Sequence, residues 1–450
     1  LELHEIYFDK SIKDYAIKLT NDIEAANDLI SLTYEICIKR DIPNINLKAY
    51  FARTMRNQFY KMQAKPKIEE PIVYSPTPDV QSVLEKMYPY YSNILQLVGE
   101  GDKLTNIHKA TKINYDTLSK DFIKAKKEFK ILSGQTKIAL IVMSNDGVSY
   151  HRLNAPFSKM HHDYQLPIEV HYNSDDSFID KLEDVTHVVF NRNISAKLQP
   201  EIVIAKLKAK GIKVICDVDD YWVLPPKHVA REFYKQTNYS KCIYANIALS
   251  TMVWCTTKQL QNEIKKINPN VHIIKNAIWK GDAQFNPDKV SINYDTFFYS
   301  GGSSHFQDLL LLGDNFNQET LYLKTPRIPN KIKGIKVETS DVFNYAYDYH
   351  TSGISVIPLQ YNKFNSFKSE LKLIEAGHFV KPALVSYVAP YTNLATVKNS
   401  IPVKSNEWAK AIKRIKGNIN LQNDLALKLK EDVETHYNLD KENRKRIQLL

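Results

Sequence analysis

No stretch of this 450-residue sequence approaches the roughly 18 unbroken apolar residues that cross a bilayer as a helix. The N-terminus also lacks the basic-then-apolar build of a signal peptide. Together these absences point to a cytoplasmic protein with no membrane partner. Cysteine is scarce: Cys37, Cys216, Cys242 and Cys255 are scattered without a paired short spacing. That argues against a disulfide framework and against a zinc site, so no metal is expected. Low-complexity blocks are missing as well, so the whole chain is expected to fold.

What is present is ordinary for a globular chain, with hydrophobic residues at 43% and charged residues at 25%. The length exceeds what one core usually organises, which predicts two or three domains. A formal charge of +11 favours polyanionic partners in a general way. Residues 1–135 carry 20 basic and 18 acidic side chains, so most of the excess lies beyond them.

Apolar residues recur at helical spacing up to about Leu132, and alternating strands and helices begin at Lys137. Pro66, Pro71, Pro76 and Pro78 exclude a continuous helix and mark a tether. We therefore expect a helical domain over 1–65, a linker over 66–79 and a second helical domain over 80–133. Beyond Lys137 the runs IALIVM, IEVHY, HVVFN and KVICDV look like strands buried on both faces of a parallel sheet. The pattern resets near Asn293 with TFFYSGG and continues through KVETS, ISVIPL and PALVSY. The expected fold class is α/β: two tandem Rossmann-like lobes, over 136–290 and 291–405, preceded by an all-α part. Residues 406–450 are expected to form helices packing across the lobes, and ligands to bind in the cleft at the carboxyl ends of the strands.

Three stretches carry candidate chemistry. Residues 364–391 read as a loop, a helix starting near Ser366, a turn and a strand; Lys368 and Ser369 would sit at the helix start, where free N–H groups suit a phosphate, with Glu375 two turns on. Residues 299–309 place Gly301 and Gly302 at a strand end, followed by Ser303 and His305 at a helix start. Residues 216–228 end an apolar strand in Asp217, Asp219 and Asp220, a cluster that repels itself unless a ligand, a cation or a basic partner offsets it. The cluster could serve as general base or acceptor partner, or as a cation site; the first is preferred.

The segment FN-x-x-KS, then Glu375-Ala376-Gly377, Pro382 and a strand, resembles the donor-binding element of retaining, family-4-like glycosyltransferases of the GT-B fold, as found in bacteria and bacteriophages. The resemblance implies a nucleotide-sugar co-substrate, a UDP-sugar by preference and a GDP-sugar as the alternative, with no obligatory cofactor. It implies that Glu375 contacts the donor ribose and that Lys368 and Ser369 approach the diphosphate. Gly301, Gly302, Ser303 and His305 resemble the Gly-rich first turn of the donor lobe. Phe367 departs from the family, in which many members carry a second glutamate there, so contacts to the donor sugar must differ. Asp217, Asp219 and Asp220 resemble an Asp-x-Asp-Asp stretch on the acceptor side of some phage-type enzymes. Gly147, Tyr150 and Arg152 resemble a cleft-facing loop, with His228 as a further acceptor-cleft candidate and His151 set aside as structural.

Residues 21–63 resemble the promoter-melting region of bacterial sigma factors, which implies DNA contacts by Arg53, Arg56 and Asn57. Residues 104–130 resemble the helix-turn-helix of a second DNA-reading region in those proteins. There Asn114, Tyr115, Lys120 and Lys124 would face double-stranded DNA, and eight lysines against four acidic residues over 101–130 would supply phosphate contacts. Two departures, His108 at a normally small position and Lys112 at the usual turn glycine, predict a looser turn. The joint architecture suggests a glycosyltransferase acting on a hydroxymethylated pyrimidine in DNA. A transferase acting on glycan, lipid or protein, and a DNA-binding regulator with a sugar-nucleotide-sensing module, are the alternatives.

Overall fold

The computed structural model describes residues 9–20, 23–38, 48, 51–52, 54–55, 80–144, 146–172, 176–195, 199–287, 290–291 and 293–450. By its internal contacts the chain divides into two compact units, Leu1–Thr77 and Pro78–Leu450. In the first unit, α1 (Lys10–Thr20) and α2 (Ile23–Ile38) bury Ile12, Ala16, Ala26, Leu29 and Ile30 together with Phe51 and Met55. Asp9 starts α1 by accepting from the Ser11 N–H at 2.8 Å and from Lys48 Nζ at 2.7 Å. Arg53, Arg56, Asn57 and the proline tether lie outside the described residues.

The second unit opens with α3 (Val80–Lys86), α4 (Pro89–Gly99), α5 (Leu104–Thr111) and α6 (Tyr115–Lys130). The turn between α5 and α6 is closed rather than loose. Lys112 adopts the left-handed conformation itself (φ 63°), at a cost of about 1 kcal/mol that glycine would avoid. His108 Nδ1 meets the Ile113 carbonyl at 2.5 Å, and the Asn114 side chain caps α6 by accepting from the N–H of Asp116 at 2.9 Å. The apolar faces of these helices share one core with the first sheet: Val83, Met87, Ile94, Leu118 and Ala125 pack with Ile138, Leu140 and Val142.

Two six-stranded sheets follow, their strands pairing parallel. The first comprises β1 (Ile138–Val142), β2 (Ile168–Tyr172), β3 (His187–Asn191), β4 (Lys213–Val218), β5 (Met252–Cys255) and β6 (Val271–Ile273), in the order β2-β1-β3-β4-β5-β6. The second comprises β7 (Thr296–Ser300), β8 (Thr320–Lys324), β9 (Ile335–Val337), β10 (Ile354–Ile357), β11 (Ala383–Ser386) and β12 (Ile401–Val403), in the order β12-β11-β10-β7-β8-β9. These are two Rossmann-like lobes, the fold class the sequence predicts. Strand order reverses between β1 and β3 in one lobe and between β7 and β10 in the other. Loops leaving a switch point diverge, so the segments after β1, β3, β7 and β10 are where a ligand is expected in such a fold.

The helices that matter for the site are α7 (Ala155–Tyr164), α8 (Arg231–Gln236), α9 (Tyr239–Leu249) and α10 (Leu371–His378), and the chain finishes with α11 (Trp408–Ile415), α12 (Ile419–His436) and α13 (Leu439–Leu449). α12 packs against α10 so closely that a Cβ on Gly377 would lie 2.6 Å from Val433 Cγ2. α13 returns to the first lobe, where Asn443 donates to the Pro156 carbonyl at 2.9 Å and Ile447 and Leu450 join the core of β1. Among the described residues no helix is long and apolar enough to cross a membrane.

Candidate functional site

The carboxylates at the end of β4 are offset by arginines that come from the switch-point loops of the same lobe. Arg152, after β1, donates Nε to Asp217 Oδ1 at 2.9 Å and Nη2 to Asp217 Oδ2 at 2.7 Å, with both side chains buried. Arg192, after β3, does the same for Asp219 at 2.7 and 2.7 Å. Arg192 is left-handed (φ 57°), a strained backbone held by its N–H donating to the Asp217 carbonyl at 2.9 Å. Burial pushes Asp219 up, but the Arg192 guanidinium outweighs it and holds the carboxyl below its usual value. Asp220 differs: its side chain retains 21% exposure, with Lys368 Nζ at 3.2 Å and Arg192 Nη2 at 3.6 Å. Of the three aspartates it is the least enclosed. Among the described residues no group of three His, Cys, Asp or Glu side chains could hold a metal ion.

The loop after β1 splits the residues expected at the acceptor cleft. Gly147 is exposed, at the start of a short turn whose Ser149 N–H donates to Asp146 at 2.9 Å. Tyr150 and Arg152 are buried: the Tyr150 hydroxyl donates to Asp282 and its ring stacks on Phe285, while Arg152 reaches on to Asn276 Oδ1 at 2.9 Å. His151 is buried too and joins the two lobes, with Nε2 at 2.6 Å from the Tyr345 hydroxyl and 3.6 Å from Glu375. Burial pulls its pKa down to about 3, so the ring is neutral. His228 packs its ring edge-on to Phe364 of the other lobe at 5.2 Å, and its Nδ1 accepts from the Ala230 N–H at 3.1 Å.

In the second lobe, β7 runs into Gly301 and Gly302. A Cβ on Gly301 would stand 2.3 Å from the Tyr299 hydroxyl and 2.9 Å from Lys372 Nζ, so a side chain there would displace both groups. Ser303 and His305 form the short turn that follows, and His305 Nδ1 donates to Asp308 at 2.8 Å. Burial, aided by the nearby Lys372 charge, lowers His305 to about 4.

The helix expected to start near Ser366 begins instead at Leu371. A short turn, Lys363–Ser366, precedes it, capped by the Asn362 side chain accepting from the Asn365 N–H at 2.8 Å. Phe367 then interrupts the helical run. Its ring stacks on Tyr221 of the other lobe (centroids 4.4 Å apart, 14° between planes), and its carbonyl accepts from Thr257 Oγ1 at 3.2 Å. Lys368 and Ser369 consequently lead into the helix rather than forming its first turn, and Ser369 Oγ accepts from Asn276 Nδ2 at 2.7 Å. α10 itself starts without a side-chain cap.

Glu375 is buried on α10 and accepts from the hydroxyls of Tyr345 and, at 3.2 Å, of Tyr349. Burial raises its pKa against the pull of Lys372 and the tyrosines. Sequence reasoning misses two residues here. Lys372 donates to the Ser300 carbonyl at 2.7 Å beside the glycine turn, and burial lowers its pKa; its spacing of four from Lys368, on a stretch expected to be helical, is the available signal. Tyr345 comes from a segment without a motif, and nothing local marks it.

Of the residues expected on DNA that are described, Asn114 caps α6, Tyr115 and Lys120 are exposed, and Lys124 bonds Asp121 at 2.8 Å.

No family model matches the chain, and no curated protein matches it. Solved structures of similar shape include Anabaena HepE with UDP and glucose, at 12% identity over 70% of this chain and 99% of that one (TM-score 0.49). A BGT mutant of T4 phage with UDP-glucose has 12% identity over 70% and 99% (TM-score 0.45). MurG of Acinetobacter baumannii has 9% identity over 70% and 100% (TM-score 0.35).

Proposed function

We propose that this chain is a glycosyltransferase that moves a sugar from a nucleotide sugar, a UDP-sugar by preference, to a hydroxymethylated pyrimidine in DNA. The observation that carries the reading is the Lys368–Asp220 contact of 3.2 Å, which joins the uncapped start of α10 in one lobe to the partly open carboxylate after β4 in the other. Lys368, Lys372, the Gly301-Gly302 turn and the first N–H groups of α10 form a setting for a diphosphate, with Ser369 beside it. Glu375 is the acceptor for ribose hydroxyls, which take the place of its tyrosine partners. Asp220 orients the incoming hydroxyl and takes its proton, while Arg152 and Arg192 fix the strand end that presents it.

In the transfer, the hydroxymethyl oxygen bonds to the anomeric carbon as the bond from that carbon to the diphosphate oxygen breaks. The acceptor proton passes to Asp220, and the charge gained by the leaving diphosphate is stabilised by Lys368, Lys372 and the helix start. The exposed side of the α5–α6 pair, with Tyr115 and Lys120, supplies contacts to duplex DNA, from which the target base leaves the stack to reach the cleft.

The test is transfer of radiolabel from UDP- and GDP-sugars onto hydroxymethylated DNA, unmodified DNA and a glycan extract, comparing the natural chain with Glu375→Ala. Label on hydroxymethylated DNA that vanishes in the variant is the expected result. Label confined to glycan would replace the acceptor, and nucleotide-sugar binding without turnover would replace the enzyme with a sensor.

A further inference from the structure

The chain leaves the sheet after Val218 and returns as β5 at Met252, and residues 221–244 lie on this excursion. This stretch is unusually apolar for a surface. Phe233 is 54% exposed, Val229 46% and Tyr244 51%. Isolated exposed apolar side chains need no explanation, but Phe233 belongs to a connected set of rings. Tyr234 lies against Arg192, the residue that holds Asp219, and packs on Tyr239 with centroids 4.8 Å apart. Phe233 then packs on Tyr239 at 5.6 Å and reaches solvent. The rings thus lead outward from the carboxylate end of β4.

Cations accompany them. Residues 223–244 contain Lys227, Arg231, Lys235 and Lys241 against one carboxylate, Glu232, which pairs with Lys235 at 3.0 Å. Lys227 and Lys241 are exposed, and Arg231 is anchored by donating to the Leu224 carbonyl at 3.0 Å. An exposed aromatic face with a surplus of positive charge is complementary to a polyanion that also carries flat apolar groups. Nucleic acid with unstacked bases has that chemistry: phosphates for the lysines, base faces for the rings.

We infer that residues 221–244 form the path on which the acceptor strand lies, with an unpaired nucleotide stacked on Phe233 next to the one delivered to Asp220. The inference rests on the DNA acceptor proposed above and adds to it a second nucleic-acid surface, separate from the α5–α6 pair.

Phe233→Ala and the double variant Lys227→Glu/Lys241→Glu change only exposed side chains. Each is to be compared with the natural chain for binding of a single-stranded hydroxymethylated oligonucleotide by fluorescence anisotropy at two salt concentrations, and for steady-state transfer. Phe233→Ala is expected to weaken oligonucleotide binding and raise the KM for DNA by about 10-fold, leaving the KM for nucleotide sugar unchanged. The charge-reversal variant is expected to lower the salt dependence of binding as well. Unchanged DNA binding and KM in both variants, with transfer to DNA intact, would overturn the strand path and spare the acceptor reading. Oligonucleotide binding that the variants abolish, without label transfer to DNA by the natural chain, would sink the acceptor reading, overturn the acceptor-strand path with it, and leave only a nucleic-acid-binding surface. Loss of binding to vesicles of anionic phospholipid, with oligonucleotide binding intact, would reassign the surface to a membrane and overturn the inference.

Discussion

Both lobes are parallel six-stranded sheets, yet they hold their functional ends by different means. In the first lobe the residues at the switch point are tied by charge: Arg152 to Asp217 and Arg192 to Asp219, each through two hydrogen bonds. In the second the tie is made by hydroxyls, with Tyr345 and Tyr349 on Glu375. The Arg152–Asp217 pair, the more deeply buried of the two, is hard to break from one side, because the remaining charge has no solvent to turn to. A tyrosine hydroxyl can exchange its partner for a ligand hydroxyl with little net change. The first lobe is therefore tied rigidly at this end and the second by bonds that a ligand hydroxyl can replace.

Acid is expected to give the largest effect, and it loads both lobes. Burial is the main cause that holds His151 at about 3 and His187 at about 4 in the first lobe, and His305 and His378 at about 4 in the second. In the unfolded chain such rings take up protons near the usual 6.5. Between that value and the folded one the unfolded state binds more protons, so stability falls as the pH falls, by up to about 1.4 kcal/mol per pH unit for each ring. Urea denaturation between about pH 7 and about pH 5 should therefore show a loss of several kcal/mol. A flat profile would mean that the folded chain protonates these rings freely. Two separate transitions on acidification would show that the lobes differ in stability as well as in how they are tied.

The contrast itself is broken most directly by Arg152→Met. Stranding Asp217 in the core is expected to cost about 3–5 kcal/mol in urea denaturation. Replacing both partners, Arg152→Met with Asp217→Leu, should recover most of it. A single variant as stable as the natural chain would end the distinction between the lobes.

Asp220→Asn asks whether the rigid side also performs the chemistry. With the proposed base removed, kcat for transfer should fall about 100-fold while the KM for nucleotide sugar stays unchanged. An unaltered kcat would take the proton-accepting role away from the strand end that the arginines fix.

The smallest effect belongs to the exchanging side. Tyr349→Phe removes one donor from Glu375, which should lower stability by about 1 kcal/mol. If the hydroxyl competes with the ligand, the same variant binds UDP-sugar about 5-fold more tightly in calorimetry. Weaker binding would make the tyrosine tie as permanent as the arginine one.

The sheets were legible because their strands are continuous apolar runs, such as IALIV and HVVF, that only a doubly covered parallel sheet buries. The aspartate cluster was legible as a charge problem in need of a partner. Its solution was not, because Arg152 and Arg192 come from loops 65 and 27 residues away in the chain. The start of α10 was misplaced for a similar reason. Helical spacing runs without a break from Asn365 to Ala376, and what stops the helix at Phe367 is a stack on Tyr221, which no local pattern announces. Arg152, expected to face the cleft, instead spends its donors on Asp217 and Asn276 in the interior. Tyr345 and Tyr349 reach Glu375 only through the fold of the second lobe, so their part in the site has no trace in the sequence around Glu375.

The Phe367–Tyr221 stack acts as a latch between the lobes, since Phe367 of the second lobe is buried in the core of the first. Tyr221 directly follows Asp220, and Phe367 directly precedes Lys368. The stack therefore fixes the backbone on either side of the Asp220–Lys368 contact. A substitution that loosened this stack would therefore be felt at the 3.2 Å contact between Lys368 and Asp220 as well.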